Sequence, residues 1–155
     1  MKKLVSFIVA AMILCLSACA PSSVPTQGLG KKYEEVVNTL DGLTIEVVEG
    51  TLTSKSICVL VTNETGFGLV TGNPYHMSVQ KEVKGEWYPL EWPANMGVTD
   101  EGYLYETGTS HEEVFDWSTR HGTLKAGHYR VVKSFSVNEA TEYEPHYAAA
   151  EFVIE

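Results

Sequence analysis

A change of pattern at Leu43 limits the fold more than any other feature of the sequence. From there to Glu155, short runs rich in Val, Ile, Tyr and Phe are separated by Gly, Asn, Asp and Pro, the composition of strands joined by turns. Leu43–Val48 alternates with a period of two, and Ser56–Thr62 carries apolar residues on both faces, as a central strand covered on both sides does. No strong amphipathic helix follows, so the sequence predicts an all-β domain.

The later strands follow the same pattern. Pro74–Val83 has its apolar residues in phase, and a Lys84-Gly85 turn leads into a returning strand, which predicts a hairpin. Three more runs have strand composition: Ser110–Asp116, Gly127–Val137 and His146–Glu155. Strands and turns at this spacing predict a β-sandwich of about seven antiparallel strands.

One local motif supports the sandwich. Leu124 to Tyr129 has the form of a tyrosine corner, in which the Tyr hydroxyl bonds back to upstream backbone at a crossing between sheets. A catalytic phenol needs a partner that depresses its pKa, and the sequence offers none beside Tyr129. We therefore expect Tyr129 to be structural.

Several segments together resemble the bacterial immunoglobulin-like domain found in lipoproteins of Firmicutes. They are Gly72-Asn73-Pro74-Tyr75 with Ser78-Val79-Gln80, Lys84-Gly85-Glu86-Trp87-Tyr88, Asp116-Trp117-Ser118 with His121-Gly122-Thr123-Leu124, and Gly127 to Lys133. The resemblance covers most of residues 43 to 155. It implies an immunoglobulin-like β-sandwich exposed at a surface, and it supplies no catalytic residues.

The chain departs from antibody domains in its core. It lacks their disulfide and the Trp on the strand expected to pack against it. We expect Trp87 or Trp117 to fill that volume.

The N-terminus has the layout of an export signal. Lys2 and Lys3 precede an apolar run from Leu4 to Leu16, which is too short to span a bilayer. Residues 16 to 19, Leu-Ser-Ala-Cys, resemble the lipobox of bacterial lipoproteins. The sequence therefore predicts a signal peptide over residues 1–18, lipidation of Cys19, and attachment to the outer face of the cell membrane by acyl chains.

A Pro-, Ser- and Gly-rich segment separates the predicted anchor from the strands. We expect residues 19–41 to form a flexible tether with an end-to-end distance of about 25 Å, with a short helical turn over Lys31 to Leu40 as an open alternative. The immunoglobulin-like domain is expected over residues 42–155. Cys15 leaves with the signal peptide and Cys19 is acylated, so Cys58 remains as a lone thiol, interpreted as a small core hydrophobe.

The charge balance bears on possible partners. The chain has 11 basic and 20 acidic residues and a formal charge of −9, which becomes −11 when Lys2 and Lys3 are removed with the signal peptide. A net field of this sign repels phosphate backbones, so we expect no nucleic-acid partner. It repels anionic headgroups too, so the membrane contact is expected through the acyl chains alone.

The sequence indicates neither catalysis nor a cofactor. Nucleophile elbows, phosphate-binding glycine loops and cofactor fingerprints are absent. The histidines at positions 76, 111, 121, 128 and 146 show no metal-ligand spacing and are interpreted as scattered surface residues. We therefore predict a protein without catalytic residues, metal or cofactor.

The segment from Glu91 to Thr109 is the best candidate for binding. It is predicted as a long loop containing Trp92, Tyr103 and Tyr105, and long loops with aromatic residues on a rigid sandwich often carry binding surfaces. The alternative is that Trp92 and its neighbours close the open end of the core.

The sequence thus favours a non-enzymatic, membrane-anchored module that recognises an envelope or extracellular protein. Two other hypotheses remain. The L-x-x-G-x-Y turn is similar to one in bacterial intracellular proteinase inhibitors, although export argues against that parallel. A solute- or metal-binding lipoprotein would need a concave pocket.

Overall fold

The computed structural model describes residues 28–93, 96–99, 101–138, 140 and 142–155. The predicted signal peptide, Cys19 and the first part of the predicted tether lie outside these residues and stay predictions. None of the helices in the described part of the chain is long and apolar enough to cross a bilayer.

Nine strands form across the described residues, and the prediction of an all-β fold is confirmed. The strands are β1 (Leu43–Val47), β2 (Ser56–Asn63), β3 (Leu69–Gly72), β4 (Ser78–Val83), β5 (Glu86–Pro89), β6 (Gly102–Tyr105), β7 (Thr109–Asp116), β8 (Gly127–Val137) and β9 (His146–Ile154). A 3-10 turn spans Pro74–His76, and one short helix, α1, spans Ser118–His121.

Two antiparallel sheets face each other. The small sheet has the order β1-β2-β7, and β8 is central in the large sheet. β9 pairs with β8 over most of its length, while β4 and β3 pair with it at residues 129–132 and 136–137. β3 and β4 both run antiparallel to β8, so they are two parts of one strand interrupted by the 3-10 turn. β5 and β6 extend this sheet beside β4 and β3.

The interruption has a local cause. Pro74 lies in the first turn of the 3-10 segment, and the side chain of Asn73 accepts a hydrogen bond from the backbone N–H of Tyr75 at 3.0 Å. The start of the predicted Pro74–Val83 strand is therefore a turn. β3 and β6 were not predicted, and β6 lies within the segment predicted as a long loop.

Trp117 fills the core. It is fully buried between the sheets, and its ring stacks on that of Phe152 with centroids 5.7 Å apart. Tyr129 is buried beside it, and its hydroxyl donates to the Lys125 carbonyl at 2.8 Å, which is the bond that the tyrosine-corner motif requires. Trp87 lies instead on the outer face of the large sheet, only partly buried.

The part of the predicted tether that the structure describes lies against the domain. Gly30 and Tyr33 donate backbone hydrogen bonds to the carbonyls of Pro89 and Trp87 in β5, both at 2.8 Å. Asn38 bonds the backbone of Ala149 in β9 with both ends of its amide. Residues 28–41 therefore cross the outer face of the large sheet from β5 to β9, and they do not extend away from it.

Candidate functional site

The three aromatic residues of the predicted binding loop lie in different environments. Trp92 is 38% exposed and Tyr103 is 45% exposed, the latter on strand β6 at the sheet edge. Tyr105 is only 4% exposed and belongs to the core. Its assignment as a possible binding residue is therefore wrong, because its ring packs between the two sheets.

Tyr105 is part of a buried polar cluster. Its hydroxyl donates to one carboxylate oxygen of Glu113, and Lys133 Nζ donates to the other at 2.6 Å. Lys133 Nζ also donates to the Gly72 carbonyl at 2.8 Å. Glu113 is on β7 and Lys133 on β8, so the cluster joins the two sheets. Each charge has its partner within the domain, which favours a structural role.

Burial shifts the pKa values of Lys133 and Tyr105, the two titratable groups bonded to Glu113, in opposite directions. Desolvation lowers the pKa of Lys133, against the attraction of the carboxylate, and raises the pKa of Tyr105, whose bond to Glu113 acts in the same direction. Neither shift makes a catalytic acid or base, because both groups are closed off from solvent.

Arg120 on α1 is a buried cation of a different kind. Its side chain is 3% exposed, yet no carboxylate of the described residues forms an ion pair with it. Its Nη1 donates to the Tyr75 carbonyl at 2.5 Å. The guanidinium carbon lies 4.0 Å from the ring centroid of Trp92 and 5.2 Å from that of Tyr75. Burial lowers the pKa of Arg120, but an arginine remains charged at physiological pH.

Local hydrogen bonds direct Arg120 inward. Asp116 accepts the backbone N–H of Ser118 at 2.8 Å, which starts a single helical turn directly after the buried Trp117. Gly122 ends the turn with a φ of 66°, a left-handed value that favours glycine. The helical turn therefore spans only four residues, of which Arg120 and His121 are buried.

Arg120 borders a cleft of about 280 Å³ at one end of the sandwich. The cleft lies between the 3-10 turn, α1 and the segment from Met96 to Thr99. Asn73 joins two of these walls, since its side chain donates to the Thr99 carbonyl at 2.9 Å and accepts from Tyr75. The lining residues are Tyr75, Met96, Gly97, Val98, Thr99, Thr119 and Arg120.

His121, next to the cleft residue Arg120, is not the surface histidine that the sequence suggested. It is buried, and desolvation together with the Arg120 charge lowers its pKa to about 4. Its imidazole is therefore neutral at physiological pH. The positive charge beside the cleft comes from Arg120.

A second buried arginine offers a comparison. The guanidinium of Arg130 lies 4.4 Å from the ring centroid of Trp87 and 5.3 Å from that of Tyr33, and its Nε donates to Gln80 at 2.8 Å. The segment of residues 28–41 covers this arginine. One side-chain hydrogen bond and aromatic contacts can therefore hold a buried arginine in this fold, and what distinguishes Arg120 is the adjoining cleft.

The metal-ligating side chains of the described residues do not cluster. Within the described residues, no group of three His, Cys, Asp or Glu side chains is placed to hold a metal ion. Cys58 is buried, and desolvation raises the pKa of its thiol. It faces Glu112, with Sγ 3.9 Å from the carboxylate, on the outer side of the small sheet and not in the core cluster.

Arg120 was missed because the family-like segments on either side of it, Asp116 to Ser118 and His121 to Leu124, do not indicate a buried cation. One signal was available: it is the only basic residue between Lys84 and Lys125, a stretch that holds eight acidic residues. A lone cation in such a stretch is a candidate for a specific role, but its burial and its cleft depend on contacts between distant segments.

The family comparison agrees with this architecture. The family model described as a bacterial Ig-like domain matches residues 39–152. Domains of this family are generally non-catalytic. No curated protein and no solved structure shows significant similarity to the chain. The match covers most of the sequence and coincides with the two packed sheets, so the chain belongs to the bacterial Ig-like domain family.

Proposed function

We propose that this protein is a lipid-anchored recognition module that binds an envelope or extracellular protein through the cleft beside Arg120. The observation that carries the proposal is a buried guanidinium that donates one hydrogen bond to the described part of the domain and lies beside a cleft. Buried charges in proteins are normally paired. A partner that fills the cleft would supply a hydrogen-bond acceptor or a negative charge to the Arg120 guanidinium.

The size of the cleft favours a protein contact over a solute site. At about 280 Å³ it lies just below the range typical of small-molecule pockets. It suits one anchoring side chain of a larger partner, and the partly exposed ring of Trp92 contacts Arg120, which borders the cleft. Hot spots of protein interfaces are rich in Trp, Tyr and Arg, the residue types gathered here.

The path of the chain bears on where the cleft would face. The Gly28 carbonyl accepts the backbone N–H of Glu91 at 2.9 Å, one residue before Trp92. Gly28 is nine positions after Cys19, a span of at most about 32 Å. If Cys19 is acylated, the cleft is tethered near the membrane, where a membrane-associated or wall-associated partner would meet it.

Site-specific photo-crosslinking on living cells tests the proposal. A crosslinking residue replaces Thr119, an exposed residue that lines the cleft, and a control replaces Val114, which is exposed on the small sheet. We expect position 119 to capture a specific protein that position 114 does not. Equal capture at both positions, or none at 119, would refute recognition through this cleft.

The anchor is tested separately by cell fractionation. Cys19→Ser removes the thiol that accepts the lipid, so we expect the variant to move from the membrane fraction to the medium or soluble fraction. A variant that still pellets with membranes would contradict lipid anchoring, whatever the crosslinking shows.

A further inference from the structure

We infer that the cleft beside Arg120 binds the C-terminal carboxylate of a peptide chain that ends in an apolar residue. The inference rests on the proposed function and specifies the chemistry of the partner. Three observations support it: the unused N–H donors of Arg120, the lining of the cleft, and the charge of the residues around it.

The guanidinium has donors to spare. An arginine carries five N–H donors in a planar fork, and among the described residues Arg120 uses one of them, toward Tyr75. Ring contacts with Trp92 and Tyr75 fix the plane of the fork. A fork held in one orientation matches the two oxygens of a carboxylate, and little side-chain entropy is lost on binding.

The charge of the surroundings favours a carboxylate over a phosphate. Arg120 is the only basic residue of the sequence from 85 to 124, and it is the only cation among the described residues that line the cleft. A carboxylate brings one negative charge, which one arginine neutralises. A phosphate group brings more charge, and proteins usually meet it with several donors or cations.

The lining of the cleft favours a chain terminus over an internal Asp or Glu. Met96, Val98 and the ring of Tyr75 supply apolar surface, and the volume of about 280 Å³ suits roughly one large side chain. A terminal residue presents its carboxylate and its side chain from the same Cα atom. An internal acidic residue would have to bring in two flanking backbone segments as well.

Titration followed by NMR tests the inference on the full chain purified in detergent. The probe is acetyl-Gly-Val-Leu as the free acid, compared with the same peptide as an amide and with acetyl-Gly-Asp-Leu-amide. One bidentate ion pair and one apolar side chain suggest a Kd on the order of 1 mM for the acid. The Nε–H signal of Arg120 is the readout, and that of Arg130 is the internal reference.

We expect the acid to shift the Arg120 signal, to leave Arg130 unchanged, and to bind at least about tenfold more tightly than either amide. Equal binding of the acid and its amide would overturn the inference, as would no Arg120 shift with the acid up to about 10 mM. Equal binding of the internal Asp peptide would overturn the assignment to a chain terminus.

Two further variants test the site without removing the positive charge at position 120, so that loss of binding can be distinguished from loss of folding. Gly97→Phe places a ring in the cleft at a position where an added Cβ meets nothing within 4 Å, so the fold should be retained while binding is lost. Arg120→Lys keeps the charge but removes the fork, and should weaken the preference for acid over amide. Gly97→Phe that folds and binds as before would overturn the site.

The result is separable from the proposed function. If Thr119 still captures a specific protein but the peptides are not distinguished by their carboxylates, the recognition cleft stands and the carboxylate inference fails. If the acid binds at Arg120 while no cellular protein is captured, the inference stands and the proposed protein partner fails.

Discussion

Lys133→Met is the sharpest test of how the two sheets are held together. The substitution removes a buried ammonium that is 1% exposed and bonded to Glu113 at 2.6 Å and to the Gly72 carbonyl at 2.8 Å. Methionine keeps a similar length but leaves a buried carboxylate without its counter-charge. Breaking a buried ion pair in this way costs about 3–5 kcal/mol of unfolding free energy.

The double variant Lys133→Met/Glu113→Gln separates lost charge from lost packing. Glutamine still accepts the hydroxyl of Tyr105 but carries no charge, so the remaining loss is mainly the bond to Gly72. We expect the double variant to cost roughly 1–2 kcal/mol, less than Lys133→Met alone. The two substitutions should therefore be strongly non-additive, as expected for residues in direct contact.

Urea denaturation followed by Trp fluorescence measures these differences, with unchanged slopes required for comparison. The matched control is Lys32→Met, which removes an exposed ion pair with Glu86 at 2.8 Å and should hardly move the midpoint. A Lys133→Met cost below about 1 kcal/mol, or a double variant that costs the sum of both single variants, would refute the account of this cluster.

Three further predictions concern stability. The pKa of His121 is about 4 in the folded state and 6.5 in the unfolded state, so between these pH values only the unfolded state gains a proton. The free energy of unfolding should therefore fall by roughly 3 kcal/mol from pH 7 to pH 4. Denaturation measured as a function of pH should lose this contribution in the variant His121→Gln. Tyr129→Phe loses the bond to Lys125 and should cost about 1 kcal/mol by urea denaturation; no change would argue against the tyrosine corner. Asn38→Ala loses two bonds to Ala149 and puts alanine at a φ of 58°, so hydrogen exchange at residues 28–41 should rise; unchanged exchange would contradict their attachment through this residue.

The parts of the fold that the sequence predicted are those set by local pattern. Alternation of apolar residues identified β1, and the spacing from Leu124 to Tyr129 identified the corner, because each signal lies within a few consecutive residues. β6 carries no such signal. Its residues are exposed except for Tyr105, and the strand is defined by its pairing with β3, more than 30 residues away in the sequence.

The predicted tether shows the limit of composition as a guide. Pro, Ser and Gly indicate a flexible chain over residues 20–30, but residues 31–40 contain none of the three, and Asn38 among them bonds the backbone of Ala149, which is 111 residues away. The sequence also left open whether Trp87 or Trp117 would fill the core. The pairing of β7 with β2 places Trp117, directly after β7, between the two sheets. Trp117 is therefore the tryptophan that fills the core.

A comparison of three buried cations explains why the proposed site is placed at Arg120. Lys133 has a carboxylate of the same domain, which satisfies its charge. Arg130 has Gln80 and is covered by Tyr33. Among the described residues, Arg120 donates to one carbonyl and contacts the faces of aromatic rings, and a cleft lies beside it. The sequence contains 20 acidic residues, and Lys133 shows that this fold can bring one to a buried cation. Since no described carboxylate is paired with Arg120, a partner's carboxylate is the group best suited to complete it.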